Sequence, residues 1–86
     1  MAKVTMYSTA LCPFCVMAER LLVNKGVTDI EKVRVDLDPE RRREMMAMTR
    51  RRTVPQIFIG QVHVGGFDDL SALDRIGELD RMLGLD

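Results

Sequence analysis

The sequence holds 86 residues, 47% hydrophobic and 30% charged, which is the composition of an ordinary folded protein with one core rather than two. Thirteen basic and thirteen acidic side chains cancel at neutral pH, so no global field points to nucleic acid or an anionic membrane surface as a partner. The apolar stretches are too short to span a bilayer and the N-terminus lacks a secretory signal pattern, so a single domain over residues 1–86, in the cytosol and off the membrane, is expected.

Lys3 to Ser8 is short, β-branched and aromatic, and reads as a strand. From Pro13 to Lys25 the apolar residues Val16, Met17, Leu21 and Leu22 follow helical spacing, with Pro13 at the first helical position and Gly26 as the stop. Val33 to Leu37 alternates and predicts a second strand. Asp38-Pro39 then caps a helix that runs through Met45, Met46 and Met48 to about Arg50. Gln56–Ile59 and Val62–Val64 are short apolar runs joined by Gly60-Gln61, the pattern of a hairpin. After Gly65-Gly66 a last helical region starts near Asp68 and carries Leu70, Leu73, Ile76, Leu79, Met82 and Leu83, with Gly77 as a break. The order β-α-β-α-β-β-α calls for a right-handed parallel crossover followed by an antiparallel pair. That is an α/β architecture of the thioredoxin type: a four-stranded mixed sheet with helices on both faces.

Cys12 and Cys15 are the only cysteines, and they stand where the first strand hands over to the first helix. A disulfide between them closes too small a loop to constrain the unfolded chain, so a stapling role explains them poorly. At the helix cap, unpaired backbone N–H groups and the positive end of the dipole favour a thiolate at Cys12. The thiolate is the reactive form, which makes Cys12 the expected nucleophile. Cys15, one turn further in, is placed to resolve a mixed disulfide formed at Cys12. Phe14 offers an apolar ring beside the nucleophile, on which a peptide disulfide can lie. Half of a zinc site is the competing reading. Tetrahedral zinc needs four ligands and only His63 remains as a further soft one, so no metal is expected. His63 itself, between Val62 and Val64, reads as an exposed strand position.

Two further segments carry chemistry. In Thr53-Val54-Pro55, a proline directly precedes an apolar strand, where it cannot donate to the ladder. A cis bond there would turn the chain sharply and free Val54 to pair with an extended peptide. On the residues alone, a trans proline on an edge strand is the preferred reading. In Gly65-Gly66-Phe67-Asp68-Asp69, the glycines let backbone approach a ligand and the helix start offers N–H groups to a carboxylate. Asp68 or Asp69 can meet an ammonium group beside it. The simpler reading of this segment is a glycine turn followed by a capping aspartate.

Taken together, these three segments resemble the glutaredoxin family, especially its small bacterial dithiol members. Cys12-Pro13-Phe14-Cys15 is similar to the family's CPYC motif with Phe for Tyr, Thr53-Val54-Pro55 to its TVP loop, and Gly65 to Leu70 to its GG-x-DD-L loop. The resemblance spans Val4 to Leu83. It implies that Cys12 attacks glutathionylated substrates and that Cys15 resolves protein disulfides. It also implies glutathione as co-substrate, with no tightly bound cofactor. Glutathione would lie along Thr53, Val54 and Pro55, its γ-glutamyl end at Gly66, Phe67 and Asp68, its glycyl carboxylate near Arg51, with Phe14 alongside. The resemblance further implies a cis Val54–Pro55 bond, reversing the preference stated above. A monomer with glutathione and protein disulfides as partners is expected.

Two departures stand out. Many family members carry Lys three residues before the first cysteine, where this chain has Thr9, and Phe14 lacks the hydroxyl of the usual Tyr. An iron–sulfur carrier, the main rival within the family, mostly has Gly after the first cysteine and Ser in place of the second. Pro13 and Cys15 depart from that pattern. A thioredoxin usually has Trp-Cys-Gly-Pro-Cys, and this chain has no Trp.

Overall fold

The computed structural model describes residues 2–85. Its elements are β1 (Val4–Ser8), α1 (Pro13–Asn24), β2 (Ile30–Arg34), α2 (Pro39–Thr49), β3 (Gln56–Ile59), β4 (Val62–Gly65), α3 (Phe67–Arg75) and α4 (Glu78–Leu83). The sheet order is β2-β1-β3-β4, with β1 parallel to β2 and antiparallel to β3, and β3 antiparallel to β4. The thioredoxin-type mixed sheet expected from element order is the one the chain forms.

Alternation along β1 sorts the core into two layers. Val4 and Met6 face one side, where Ala18 and Leu22 of α1, Ile57 and Ile59 of β3, and Leu70, Leu79 and Leu83 of α3 and α4 close a fully buried cluster. Tyr7 faces the other side and packs with Val33, Val35 and Met45 under α2. Helices therefore cover both faces.

The second strand begins and ends earlier than Val33–Leu37. The register pairs Val4 with Ile30 and Ser8 with Arg34, so the length of β1 decides where its edge partner starts. Glu31 and Lys32 belong to this strand because an edge position lets charged side chains stand in solvent. Beyond Val35 the chain turns, and Leu37 is exposed.

In α1 the buried stripe is Cys15, Ala18 and Leu22, whereas Val16 and Met17 are exposed despite their apolar character. Asp38 caps α2 by accepting the Glu40 and Arg41 N–H groups, and α2 ends at Arg50 in the left-handed conformation, φ 60°. The last helical region is divided at Gly77, φ 79°, as its sequence suggests. Lys25, at the end of α1, bridges Asp74 of α3 at 2.6 Å and Asp80 of α4 at 2.8 Å, so one cation ties the divided region to the first helix.

Candidate active site

β1 delivers the chain to the active-site turn, and Cys12 is the N-cap of α1, with extended backbone at φ −137° and ψ 96°. Its Sγ accepts the Cys15 backbone N–H at 3.2 Å, so the sulfur occupies the place of a capping oxygen. Pro13 at the first helical position removes an N–H that would lack an intrahelical partner anyway. The two sulfurs are joined as a disulfide. Both cysteines are nearly buried, at 9% and 5% exposure.

The Cys12 Sγ lies 3.7 Å from the Val54 carbonyl oxygen, which brings the dithiol against the Thr53-Val54-Pro55 segment. The Val54–Pro55 peptide is cis. The trans preference drawn from the residues alone is thus overturned, in favour of the geometry that the family resemblance implies. β3 starts directly after this bond, at Gln56, with Val54 beside Cys12.

Beside the dithiol lies a cavity of about 320 Å³, walled by Phe14, Arg51, Thr53, Val54, Pro55, Gly66, Phe67, Asp68 and Asp69. All eight residues singled out for glutathione line this one cavity, drawn from α1, the loop after α2 and the start of α3. The Phe14 and Phe67 rings stack across it at 6.3 Å. The cysteines line a neighbouring hollow of about 250 Å³ with Met6, Ser8 and Arg34.

The adjacent aspartates of α3 divide their tasks. Asp69 accepts the Gly66 N–H at 3.0 Å and the Arg51 guanidinium at 2.9 Å. The Arg51 bond, then the Gly66 N–H, hold the Asp69 carboxyl below the usual carboxylate range. Asp68 makes neither a salt bridge nor a side-chain hydrogen bond among the described residues, and it faces the same cavity. The sequence left Asp68 and Asp69 interchangeable. The Arg51–Asp69 pair was missed, although Asp69 stands three residues after Gly66, the spacing at which a side chain reaches back to a helix cap.

His63 is half-buried, not exposed. Its Nε2 lies 2.8 Å from the side-chain oxygen of buried Gln56, and its ring leans on Phe58 at 5.1 Å. Burial, and then the nearby Arg51 charge, lower its pKa. Cross-strand pairing with Phe58 turns it under the sheet, which the flanking valines gave no means to foresee.

On the other flank of the turn, Asp36 accepts the Ala10 N–H at 3.2 Å and two bonds from Arg34, each 2.7 Å. Arg34 is the main reason its carboxyl pKa drops to about 2. Among the described residues no helix is long and apolar enough to cross a membrane, and no three His, Cys, Asp or Glu side chains gather as a metal site.

Known proteins with this arrangement are plentiful. A family model described as Glutaredoxin matches residues 4–64. The glutaredoxin of Neisseria meningitidis serogroup A is 52% identical over 83 residues, covering 96% of this chain and 98% of its own length. Among solved structures, the glutaredoxin of Brucella melitensis superposes with a TM-score of 0.85 at 45% identity, covering 99% of this chain and 91% of its own. A buckwheat glutaredoxin–glutathione complex superposes with a TM-score of 0.87 at 27% identity, over 96% of this chain and 77% of its own. With a matching family model over most of its length, close relatives and a dithiol at a helix cap, the chain belongs to the glutaredoxin family of thiol–disulfide oxidoreductases.

Proposed function

We propose that this protein draws its electrons from glutathione and reduces glutathione mixed disulfides and protein disulfides through Cys12 and Cys15. With a mixed disulfide, the Cys12 thiolate attacks the glutathione sulfur. The substrate leaves as a thiol after taking a proton, and glutathione stays bonded to Cys12. A second glutathione thiolate attacks that glutathione sulfur, giving glutathione disulfide and restoring the Cys12 thiolate. With a protein disulfide, Cys12 forms a mixed disulfide with one substrate sulfur and releases the other as a thiol. The Cys15 thiolate then attacks the Cys12 sulfur and releases the second substrate thiol. The resulting Cys12–Cys15 disulfide is reduced by two glutathiones, which leave as one glutathione disulfide.

The observation that carries this reading is the Cys12 Sγ at the helix cap, accepting the Cys15 N–H within reach of the Val54 carbonyl and the adjoining cavity. The same N–H and helix dipole favour the thiolate once the disulfide is reduced. The cavity suits a tripeptide: backbone of Val54 for its main chain, Phe14 and Phe67 for its apolar flank, Asp68 for its ammonium, and Arg51 for a carboxylate. Arg51 spends one donor on Asp69 and, as a guanidinium, has others to offer. The relative solved with glutathione supports the choice of ligand. A dithiol that cycles in this way belongs in a reducing compartment, in keeping with a cytosolic single-domain monomer.

The test is reduction of a small glutathione mixed disulfide by glutathione, coupled to NADPH through glutathione reductase. Turnover should vanish in Cys12→Ser, whereas Cys15→Ser should keep it and lose protein-disulfide reduction. Absence of turnover in the folded wild type would overturn the reading.

A further inference from the structure

The Gln56 side chain is completely buried, so its amide oxygen and nitrogen both need partners. Its NH2 donates to the Thr53 carbonyl at 3.0 Å, with the Thr53 hydroxyl at 3.4 Å. Its oxygen faces His63 Nε2 at 2.8 Å. Rotating the amide by half a turn would set its oxygen against the Thr53 carbonyl, two acceptors without a proton between them. The contact with the Thr53 carbonyl therefore identifies which end of the amide is the NH2. An amide oxygen only accepts, so His63 Nε2 carries the proton and donates.

His63 stands directly opposite Phe58, so its side chain shares the face of the sheet that carries Phe58 and, two residues before it, Gln56. Ile57 pairs with Gly65 but Phe58 pairs with His63, which leaves Val64 without a partner. The bulge adds that one residue to β4 between His63 and Gly65. Thr53, at the far end of this chain of bonds, walls the cavity beside the dithiol.

We propose that His63 is a positioning residue for that wall: through its Nε2–H it holds the Gln56 amide in the orientation that clamps Thr53, and so sets the backbone which glutathione lies along. The last step rests on the glutathione reading above, and the first two do not. His63→Phe keeps the ring and removes the donor, leaving a buried oxygen unpaired. His63→Gln keeps an N–H at comparable reach.

Nitrogen-15 NMR of the folded wild type at neutral pH should find the Nε2–H tautomer, and one Gln56 side-chain N–H should be shifted and protected from exchange. That signature should disappear in His63→Phe and persist in His63→Gln. In turnover of a small glutathione mixed disulfide, His63→Phe should raise KM by about 3- to 10-fold, the factor one neutral hydrogen bond carries, with kcat within about twofold. His63→Gln should restore KM. An Nδ1–H tautomer in the wild type, or a Gln56 signal unmoved by His63→Phe, overturns the relay even if His63→Phe is too unstable to assay. An intact NMR signature with unchanged KM overturns its effect on ligand. Absence of turnover in the wild type instead removes the glutathione reading and leaves the relay to the NMR result.

Discussion

The guanidinium of Arg51, in the loop after α2, donates to the carboxylate of Asp69, in the first turn of α3, across 2.9 Å. This bond joins two of the three chain segments that wall the cavity, while Asp68, one residue earlier, is left to face it without an ion pair among the described residues. Adjacent aspartates should therefore fail in different ways. Asp68→Asn should leave thermal stability nearly unchanged, within about 0.5 kcal/mol, and raise KM for glutathione several-fold. Asp69→Asn should lower stability at neutral pH. The folded-state pKa of Asp69 is depressed, so its contribution is present above the ordinary Asp value and is lost as pH falls through the folded value. The melting-temperature gap between wild type and Asp69→Asn should accordingly close below about pH 4. A gap that stays constant into acid would contradict the assignment of the shift to Arg51.

Gly65 tests how closely that pair is packed. Its φ is +117°, and a methyl group there would overlap the Asp69 carboxylate and come within 3.1 Å of Arg51 Nη1. Gly60 has φ +60° with nothing within 4 Å of the same position. Gly60→Ala should cost only the backbone penalty, about 1 kcal/mol. Gly65→Ala should cost that and the displacement of the ion pair as well, about 2–4 kcal/mol in total. Equal costs in denaturant titrations would mean the pair yields freely.

Which parts of this were legible in the sequence follows from what kind of signal each part sends. Strand alternation, proline at first helical positions and glycine breaks are local, and they located seven of the elements closely. The edge strand β2 was misplaced because its start is dictated by pairing with Val4, far away in sequence. The cavity residues were legible as three short motifs. Their meeting in one place, the Arg51–Asp69 pair and the Gln56–His63 bond are contacts between segments, which no single window of sequence records. Exposed Val16 and Met17 show the converse limit: apolar character marks the candidates for burial, and packing selects among them.

Arg50 ends α2 at φ 60°, a conformation in which a side chain is strained, while its N–H closes onto the Met46 carbonyl at 2.9 Å. Glycine adopts this conformation without the clash and keeps the N–H. Its greater freedom in the unfolded chain offsets part of the gain. Arg50→Gly should therefore stabilise the protein by about 0.5–1 kcal/mol, read as a higher denaturant midpoint at unchanged slope. Destabilisation would show that the Arg50 side chain makes a contribution larger than its backbone strain.

Asp36 offers the clearest acid-dependent signal near the dithiol. Two bonds from Arg34 and one from the Ala10 N–H converge on its carboxylate, and its pKa stands at about 2. The group is exposed, so solvent screening keeps its contribution to stability modest. Its sign is nevertheless fixed by linkage. A depressed folded-state pKa places the stabilisation above the ordinary Asp value, and it is lost as pH falls toward 2. Wild type and Asp36→Asn should differ most near neutral pH and converge between about pH 4 and pH 2. The Ala10 bond adds a local consequence, because Ala10 lies two residues before Cys12 in the turn. An amide oxygen at position 36 still accepts that N–H but loses the charge that strengthens the bond. Ala10 should then exchange its amide proton faster in Asp36→Asn, and faster still in Asp36→Ala, while amides of β1 keep wild-type rates. Uniform acceleration along β1 would mean that Asp36 acts on the stability of the whole sheet rather than on the turn.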